Sequence, residues 1–583
     1  MAESPQTLLR ARVGAAVAVA FGNDVEAPEP LVVPTSDPRH GDYTSPVPMA
    51  LARTLGRPPH ELAQRLAEAL DVLDVATTPE VVRPGFVNLR LDRGWLAGRI
   101  AELVGHVRLG IDPSSSPTRV VIDYSGPNVA KAMHVGHLRS TIIGDCLANL
   151  VELLGHDVER VNHVGDWGTQ FGMLIALLDE VGRPGREGSA SLAEVEDLYR
   201  RANARFASDE EFRARARRRV VDLQSGDAEA RDTWRWLVAL SMAENQAVYD
   251  RLGVRHLEVR GESTYQPMLG EVVADLEAAG LVVVDNGAKC VFVDGFANTE
   301  GEPLPLIVQK ADGGYNYDTT DLAALRSRVE QGAGRLVYVV DAGQSQHFEM
   351  VFAVARMAGW LPEGVEATHV AFGLVLGEGG RRLRTRTGDS VRLVDLLDEA
   401  VARARSFVVE RAEERAQAVP DDVDEVARVV GVGAVKYADL SQHRQSNYVL
   451  SFDRMLSLKG NTAPYLQYAY ARIHSILREA GWAEGAPGVG VVVMLDEPQE
   501  LELAKRLVAT GDVVRRAAED HLPNHLCTHL FELAQAYHQF YEHCPVLRSP
   551  EPLRSSRLAL CEVTAATMGL GLGLLGIEVL DRI

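Results

Sequence analysis

The run from Asp123 to Arg139, DYSGPNVAKAMHVGHLR, constrains this chain more than any other stretch. Just before and into it, residues 118–123 (TRVVID) form a short apolar run rich in β-branched side chains, the pattern of a buried strand. Ser-Gly-Pro-Asn breaks that strand. A helix is expected from near His134. Leu138, Ile142, Leu147, Leu150 and Leu154 recur at roughly helical spacing, and Gly155 stands where a C-terminal cap belongs. A second strand is expected near residues 158–162. The result is a strand–helix–strand unit whose first turn is polar and basic. Crevices at the carboxyl ends of such strands bind ligands, nucleotides especially.

Within that turn, His134 and His137 are three apart and share a face at the helix start. Gly136 leaves room for close approach to the backbone, and Lys131 lies just upstream. Helix N-termini attract phosphate through free N–H groups and the helix dipole. Two imidazole donors and an ammonium beside one make a cradle for a polyphosphate gaining charge in a transition state. The same pair also fits a chance arrangement on a solvated helix start, or half of a metal site.

At 583 residues, several domains are expected. No apolar run reaches membrane-spanning length and no signal-peptide hydrophobic region stands at the N-terminus, so a cytoplasmic location is expected. Cys146, Cys290, Cys527, Cys544 and Cys561 are scattered without a CxxC pair. That suggests a reduced compartment and no structural zinc, and no set of protein metal ligands is expected. The net charge of −21 argues against indiscriminate nucleic-acid binding, though a local basic face can still meet RNA.

Residues 1–92 read as a small α/β domain, with a helix over 50–70 interrupted at Pro58-Pro59 and alternation over 81–91 around a Pro-Gly turn. The SSSP run at 114–117 reads as a linker. Residues 180–260 read as mostly helical. Arg213, Arg215, Arg217, Arg218 and Arg219 there form a basic cluster, either a solvated helix face or an RNA contact. Trp167, in a glycine-rich loop, reads as packing. Residues 282–284 and 290–293 read as a hairpin around Asp285-Asn286-Gly287.

The segment 310–321, KADGGYNYDTTD, runs into a helix over 321–328. Tyr317 and Asp321 are four apart and share a face if the helix has already begun. A ring and a carboxylate together suit a planar cation, which stacks on one and is hydrogen-bonded by the other. Otherwise Asp321 is a helix cap and Tyr317 is core. Residues 335–340 (RLVYVV) read as a buried parallel strand, so Gln344 and His347 emerge at its carboxyl end, where an open sheet places its site. Residues 369–376 read as the next strand. The glycine-bounded stretch 379–388 predicts a mobile loop carrying Arg382, Arg384 and Arg386, suited to close on a leaving pyrophosphate. From about 460 onward, helical patterns dominate. Tyr465, Tyr468 and Tyr470 there are bundle core or stacking partners for bases.

His134-Val135-Gly136-His137 resembles the HIGH signature of class I aminoacyl-tRNA synthetases. The wider runs PNVAKAMHVGHLRSTIIGD and NHVGDWGTQFGMLI resemble the arginyl-tRNA synthetases in particular. The resemblance implies a Rossmann-like α/β catalytic domain over 115–395 with a helical insertion at about 180–260. It also implies a tRNA-contacting α/β domain over 1–92, a helical stem over 396–459 and an all-α DALR-type anticodon-binding bundle over 460–583. It implies ligation of L-arginine to tRNA(Arg) through an arginyl-adenylate, with ATP as substrate, Mg²⁺ accompanying it, and a monomeric enzyme. Lys131, His134, His137, Arg382, Arg384 and Arg386 would be catalytic. Asp123, Asn128, Tyr317, Asp321 and Gln344 would hold arginine. His134, Gly136, His137, Gln344 and His347 would hold ATP. The loop at 382–386 departs from the KMSKS signature by lacking lysine, and in the family Lys131 compensates. Two other readings are a non-catalytic or specialised arginine- or tRNA-binding paralogue, and a different HxGH nucleotidyl transferase.

Overall fold

The computed structural model describes all residues except 1–3, 23–24, 36, 185–191, 256, 299, 378, 382, 384–390, 415–417 and 483–490. The chain divides into two units. One gathers residues 1–113, 457–574 and 578–583; the other holds residues 114–456 and 575–577.

The second unit is built on five parallel strands: β1 (Arg119–Asp123), β2 (Asp157–Val164), β3 (Glu258–Gly261), β4 (Arg335–Tyr338) and β5 (Glu366–His369). Their order across the sheet is β5-β4-β1-β2-β3. The direction of winding therefore reverses between β1 and β4, and a crevice opens outside their carboxyl ends. Apolar alternation has no place in strands covered on both faces. Val120, Val121 and Ile122 are all buried, as are Leu336 and Val337.

Three helices border that crevice. Helix α1 (Val135–Leu153) follows β1, helix α2 (Tyr317–Glu330) precedes β4, and helix α3 (Ser345–Met357) follows β4. Leu322 and Leu325 of α2 pack with Val351 and Val354 of α3 and with Val121, Val161 and Leu336 of the sheet. This continuous apolar body holds the helix ends still.

Two expectations are corrected here. Residues 369–376 are not one strand: β5 ends at His369, and a separate pair, Val375–Leu376, lies parallel to Tyr448–Val449. The hairpin near 282–293 is present as Val283–Asp285 and Ala288–Ala297, but it carries a third strand, Pro303–Gln309, that its two prolines disguised.

The insertion is helical, as Leu192–Ser208, Glu210–Ser225 and Ala228–Leu252. Trp167 packs edge-on to Trp234 at 5.8 Å. Part of the arginine cluster is used locally. Arg213 donates to the Phe206 carbonyl at 2.8 Å, Arg219 to Asp179 at 2.7 Å, and Arg215 pairs with Glu180. Arg217 and Arg218 are exposed.

In the first unit, the four-stranded antiparallel sheet of the N-terminal segment and the helices from Ala463–Glu479 to Leu553–Leu574 lie together. Tyr465, Tyr468 and Tyr470 are half-buried in the bundle, Tyr465 against Phe531 and Tyr470 against His474. Leu553–Leu574 corrects the reading that no apolar run reaches membrane-spanning length. It is long and apolar enough, but 78% of its apolar window is buried, so it serves as the core helix of the bundle. All five cysteines are buried thiols outside any disulfide.

Candidate active site

The turn after β1 bends through left-handed backbone at Ser125 (φ 75°), Gly126 (φ 57°) and Ala130 (φ 66°). Non-glycine residues in that region cost about 1–3 kcal/mol each and need support. Ser125 N–H donates to Ser140 Oγ at 2.8 Å, Gly126 N–H to Asn162 Oδ1 at 3.0 Å, and Ala130 N–H to Ser241 Oγ at 2.9 Å. Asn128 then bridges to Gly165 after β2. A Cβ at Gly165 would stand 2.4 Å from Asn128 Oδ1, so that glycine is required by close approach.

His134 does not lie on the helix face; it is the N-cap of α1. Its Nδ1 accepts from Gly136 N–H at 3.0 Å, while His137 Nδ1 accepts from the His134 N–H at 3.0 Å. The rings lie 4.0 Å apart and tilted by 30°. A ring nitrogen that accepts carries no proton, so both neutral imidazoles keep theirs on Nε2. Burial and the neighbouring Lys131 charge lower the pKa of His134. Burial and His134 bring His137 down to about 3. Both are therefore uncharged Nε2–H donors at neutral pH. A Cβ at Gly136 would come within 2.7 Å of the His134 ring, so this glycine serves the histidine as well as any ligand above it.

Helix α2 begins at Tyr317, a full turn before the expected start, with Asn316 at the N-cap position. Asp321 thus lies inside the helix and is no cap. Tyr317 is 57% exposed and is not core. Asp321 Oδ2 stands 2.6 Å from His347 Nε2, and Asp318 Oδ1 stands 3.1 Å from His347 Nδ1. Tyr317 packs edge-on to the His347 ring at 4.9 Å. Burial pushes His347 down, but its hydrogen bonds to the two carboxylates outweigh this and raise it to about 9. Glu262, just after β3, is raised to about 7 by burial and by the carboxylates of Asp321 and Asp166. Asp123, at the end of β1, accepts from the fully buried Arg328 of α2 at 2.7 Å.

One cleft of about 690 Å³ is lined by Asp123, Asn128, His134, Gly136, His137, Tyr317, Asp321, Gln344 and His347, nine residues singled out from the sequence. That volume is ordinary for a site taking a nucleotide-sized ligand. Lys131 is not among the lining residues. Its ammonium rests 4.9 Å over the Tyr199 ring of the insertion. Arg382, Arg384 and Arg386 lie outside the described residues, although Leu383 between them lines the cleft. Sequence reasoning missed Glu262, Asp318 and Arg328. Glu262 carries a readable signal, because it follows a strand at the end where sites form. Arg328 carries none: a mid-helix arginine gains its role only from the strand beneath it.

Comparison with known proteins shows the family. Residues 100–452 match the tRNA synthetases class I (R) catalytic domain, residues 466–583 the DALR anticodon binding domain, and residues 7–91 the arginyl tRNA synthetase N-terminal domain. The chain is 53% identical to an arginine–tRNA ligase of Synechococcus elongatus, covering 99% of this chain and 100% of that one. It is 50% identical to one of Nostoc punctiforme, with 99% of each covered. Among solved structures, it resembles the arginyl-tRNA synthetase of Plasmodium falciparum at a TM-score of 0.86 and 28% identity, covering 100% of both chains. The Thermus thermophilus arginyl-tRNA synthetase follows at 0.82 and 26%, covering 99% of this chain and 100% of that one.

Proposed function

The chain belongs to the arginyl-tRNA synthetases of class I and is an arginine–tRNA ligase, and on that premise we propose how its residues share the reaction. The arginine carboxylate attacks the α-phosphorus of ATP, and pyrophosphate leaves. The adenylate then passes its arginyl group to the 2′-hydroxyl of the terminal ribose of tRNA(Arg), and AMP leaves. Little covalent chemistry falls to the protein, which positions the reactants and stabilises charge.

His134 and His137 donate from Nε2–H to the phosphates, their tautomer set by the backbone N–H groups that each Nδ1 accepts. Being neutral, they offer hydrogen bonds without competing as bases. Gly136 lets the adenine stack close to α1. Asn128 and Gln344 take the α-amino end of arginine. Tyr317 stacks on the guanidinium and Asp321 accepts from it, with Glu262 beside them and Asp123 in support. Asp123 acts through its pair with Arg328. A site built for a planar fork leaves a carboxylate under-bonded when lysine enters, which is the source of specificity. Lys131 and Arg382, Arg384 and Arg386 assist the leaving pyrophosphate, and Mg²⁺ would arrive with ATP as part of the substrate, adding positive charge against the phosphates. We assign residues 1–92 and 460–583 to tRNA contact, 115–395 to catalysis and 396–459 to the stem, in a cytoplasmic monomer that makes no membrane contact.

One juxtaposition carries this reading: the capping-box histidines and the Tyr317–Asp321 pair line the same cleft at the carboxyl ends of β1 and β4. The test is charging of tRNA(Arg) with labelled arginine and ATP, with lysine and citrulline as controls. Charging with arginine alone is expected. Equal charging with citrulline, which lacks the positive charge, would overturn the role given to Asp321.

A further inference from the structure

His347 faces two carboxylates at once, Asp321 through Nε2 at 2.6 Å and Asp318 through Nδ1 at 3.1 Å. An ionised carboxylate only accepts, so both ring nitrogens must donate, and a ring that donates from both is an imidazolium. Its side chain is only 11% exposed, walled by Tyr317 at 4.9 Å and Phe348 at 5.2 Å. Asp321 is the carboxylate assigned above to the substrate guanidinium. A guanidinium fork engages both oxygens of a carboxylate, and Oδ2 is already held by His347. A guanidinium brought to the same carboxylate would set a second cation directly beside the imidazolium, and that like-charge contact disfavours the protonated ring.

We propose that His347 is a resident counter-ion of the guanidinium site: incoming arginine takes Asp321 from the imidazolium, and the His347 Nε2 proton leaves to solvent, so that arginine binding and proton release are one linked event. This rests on the assignment of Asp321 to the guanidinium. In this role His347 is a positioning residue. It keeps Asp321 paired and aimed, and it yields only to a cation that offers a better set of hydrogen bonds. A lysine ammonium, a point charge without the fork, displaces it less well.

The groups around His347 fix the sign of the effect. Helix α2 contributes Tyr317, Asp318 and Asp321; the segment after β3 contributes Glu262, with Asp166 behind it. From the strands come Tyr338, and His369, which stacks on Phe348 and is itself lowered mainly by burial. With His347 raised to about 9, the ring is charged through neutral pH and its proton opposes arginine. Arginine affinity therefore rises with pH up to about 9 and then levels. Glu262, raised to about 7, also releases a proton to solvent near neutrality when a cation arrives. It is already ionised at about pH 8.5, so release there belongs to His347.

The experiment is calorimetric titration of L-arginine into the full-length protein at about pH 8.5, in two buffers of different ionisation heat. The wild type is expected to release most of one proton, and its affinity to rise by up to about tenfold per pH unit below that pH. Glu262→Gln should keep the release, and His347→Gln should bind arginine without it. Arginine binding by the wild type with no buffer-dependent heat, or undiminished release from His347→Gln, would overturn the displacement. Unchanged arginine affinity in Asp321→Asn would overturn the guanidinium site itself, and this inference with it.

Discussion

At the scale of single residues, the site works through hydrogen-bond direction as much as charge. His134→Ala or His137→Ala removes one Nε2–H donor and one half of the reciprocal cap. Adenylate formation should slow by roughly a hundredfold, about 2.7 kcal/mol of transition-state stabilisation, with little change in arginine affinity. Arginine- and tRNA-dependent exchange of pyrophosphate into ATP measures it, and near-normal exchange by both variants would remove the pair from catalysis. Asp321→Asn keeps shape and removes charge. A charged hydrogen bond is worth about 1.5–3 kcal/mol, so kcat/KM for arginine should fall roughly ten- to a hundredfold, while ATP binding survives on another strand–helix turn. A helix-capping role would predict tolerance of asparagine, and the start of α2 at Tyr317 removes that role.

At the scale of elements, the turn between β1 and α1 is held by Ser140 of α1 itself and by two other parts of the chain, Asn162 of β2 and Ser241 of the insertion. Gly165 is the point where β2's end meets it. In Gly165→Ala the new methyl group would meet Asn128 Oδ1 at 2.4 Å, and the carbonyl end of a short amide has little freedom to withdraw. Overpacking of this kind costs about 1–3 kcal/mol. KM for arginine should rise more than KM for ATP, because Asn128 is the residue displaced. Equal changes in both would mean that the whole turn had moved. The elements that were legible beforehand are those with short-range causes. The β-branched run made β1, the leucine spacing made α1, and Asn286-Gly287 turned the hairpin. Strand Pro303–Gln309 was hidden because proline argues against a strand, yet two prolines fit an outer strand that pairs on one side alone.

At the scale of the whole molecule, the chain's two ends share a unit. Asp512 of the C-terminal bundle accepts from the Gln6 N–H at 3.0 Å and pairs with Ser4, and Lys505 meets Asp42 at 2.7 Å. Burial raises the Asp512 carboxyl, and the Ser4 and Gln6 donors oppose that. Asp512→Ala leaves those donors without their acceptor, a cost of about 1–3 kcal/mol. The unit formed by residues 1–113 and 457–574 should melt earlier, and amide exchange should quicken over Pro5–Phe21. Calorimetric arginine binding should not change, since the cleft is lined by residues of the other unit. An unchanged melting profile would show that apolar packing alone docks the N-terminal helix.

The sequence by itself determined the strand–turn–helix at 119–153, the histidine pair at its start, the Tyr317–Asp321 spacing and the family. Each is written in neighbours along the chain, within reach of local backbone preference. Only the tertiary structure decided that His134 caps rather than decorates its helix, that Arg328 is spent on Asp123, and that Asp318 and Asp321 converge on His347 with Glu262 beside Asp321. Those facts turn on which groups share a desolvated space. Charges brought together from β3, α2 and α3 set each other's protonation and hydrogen bonding only when the sheet's order has placed those elements side by side.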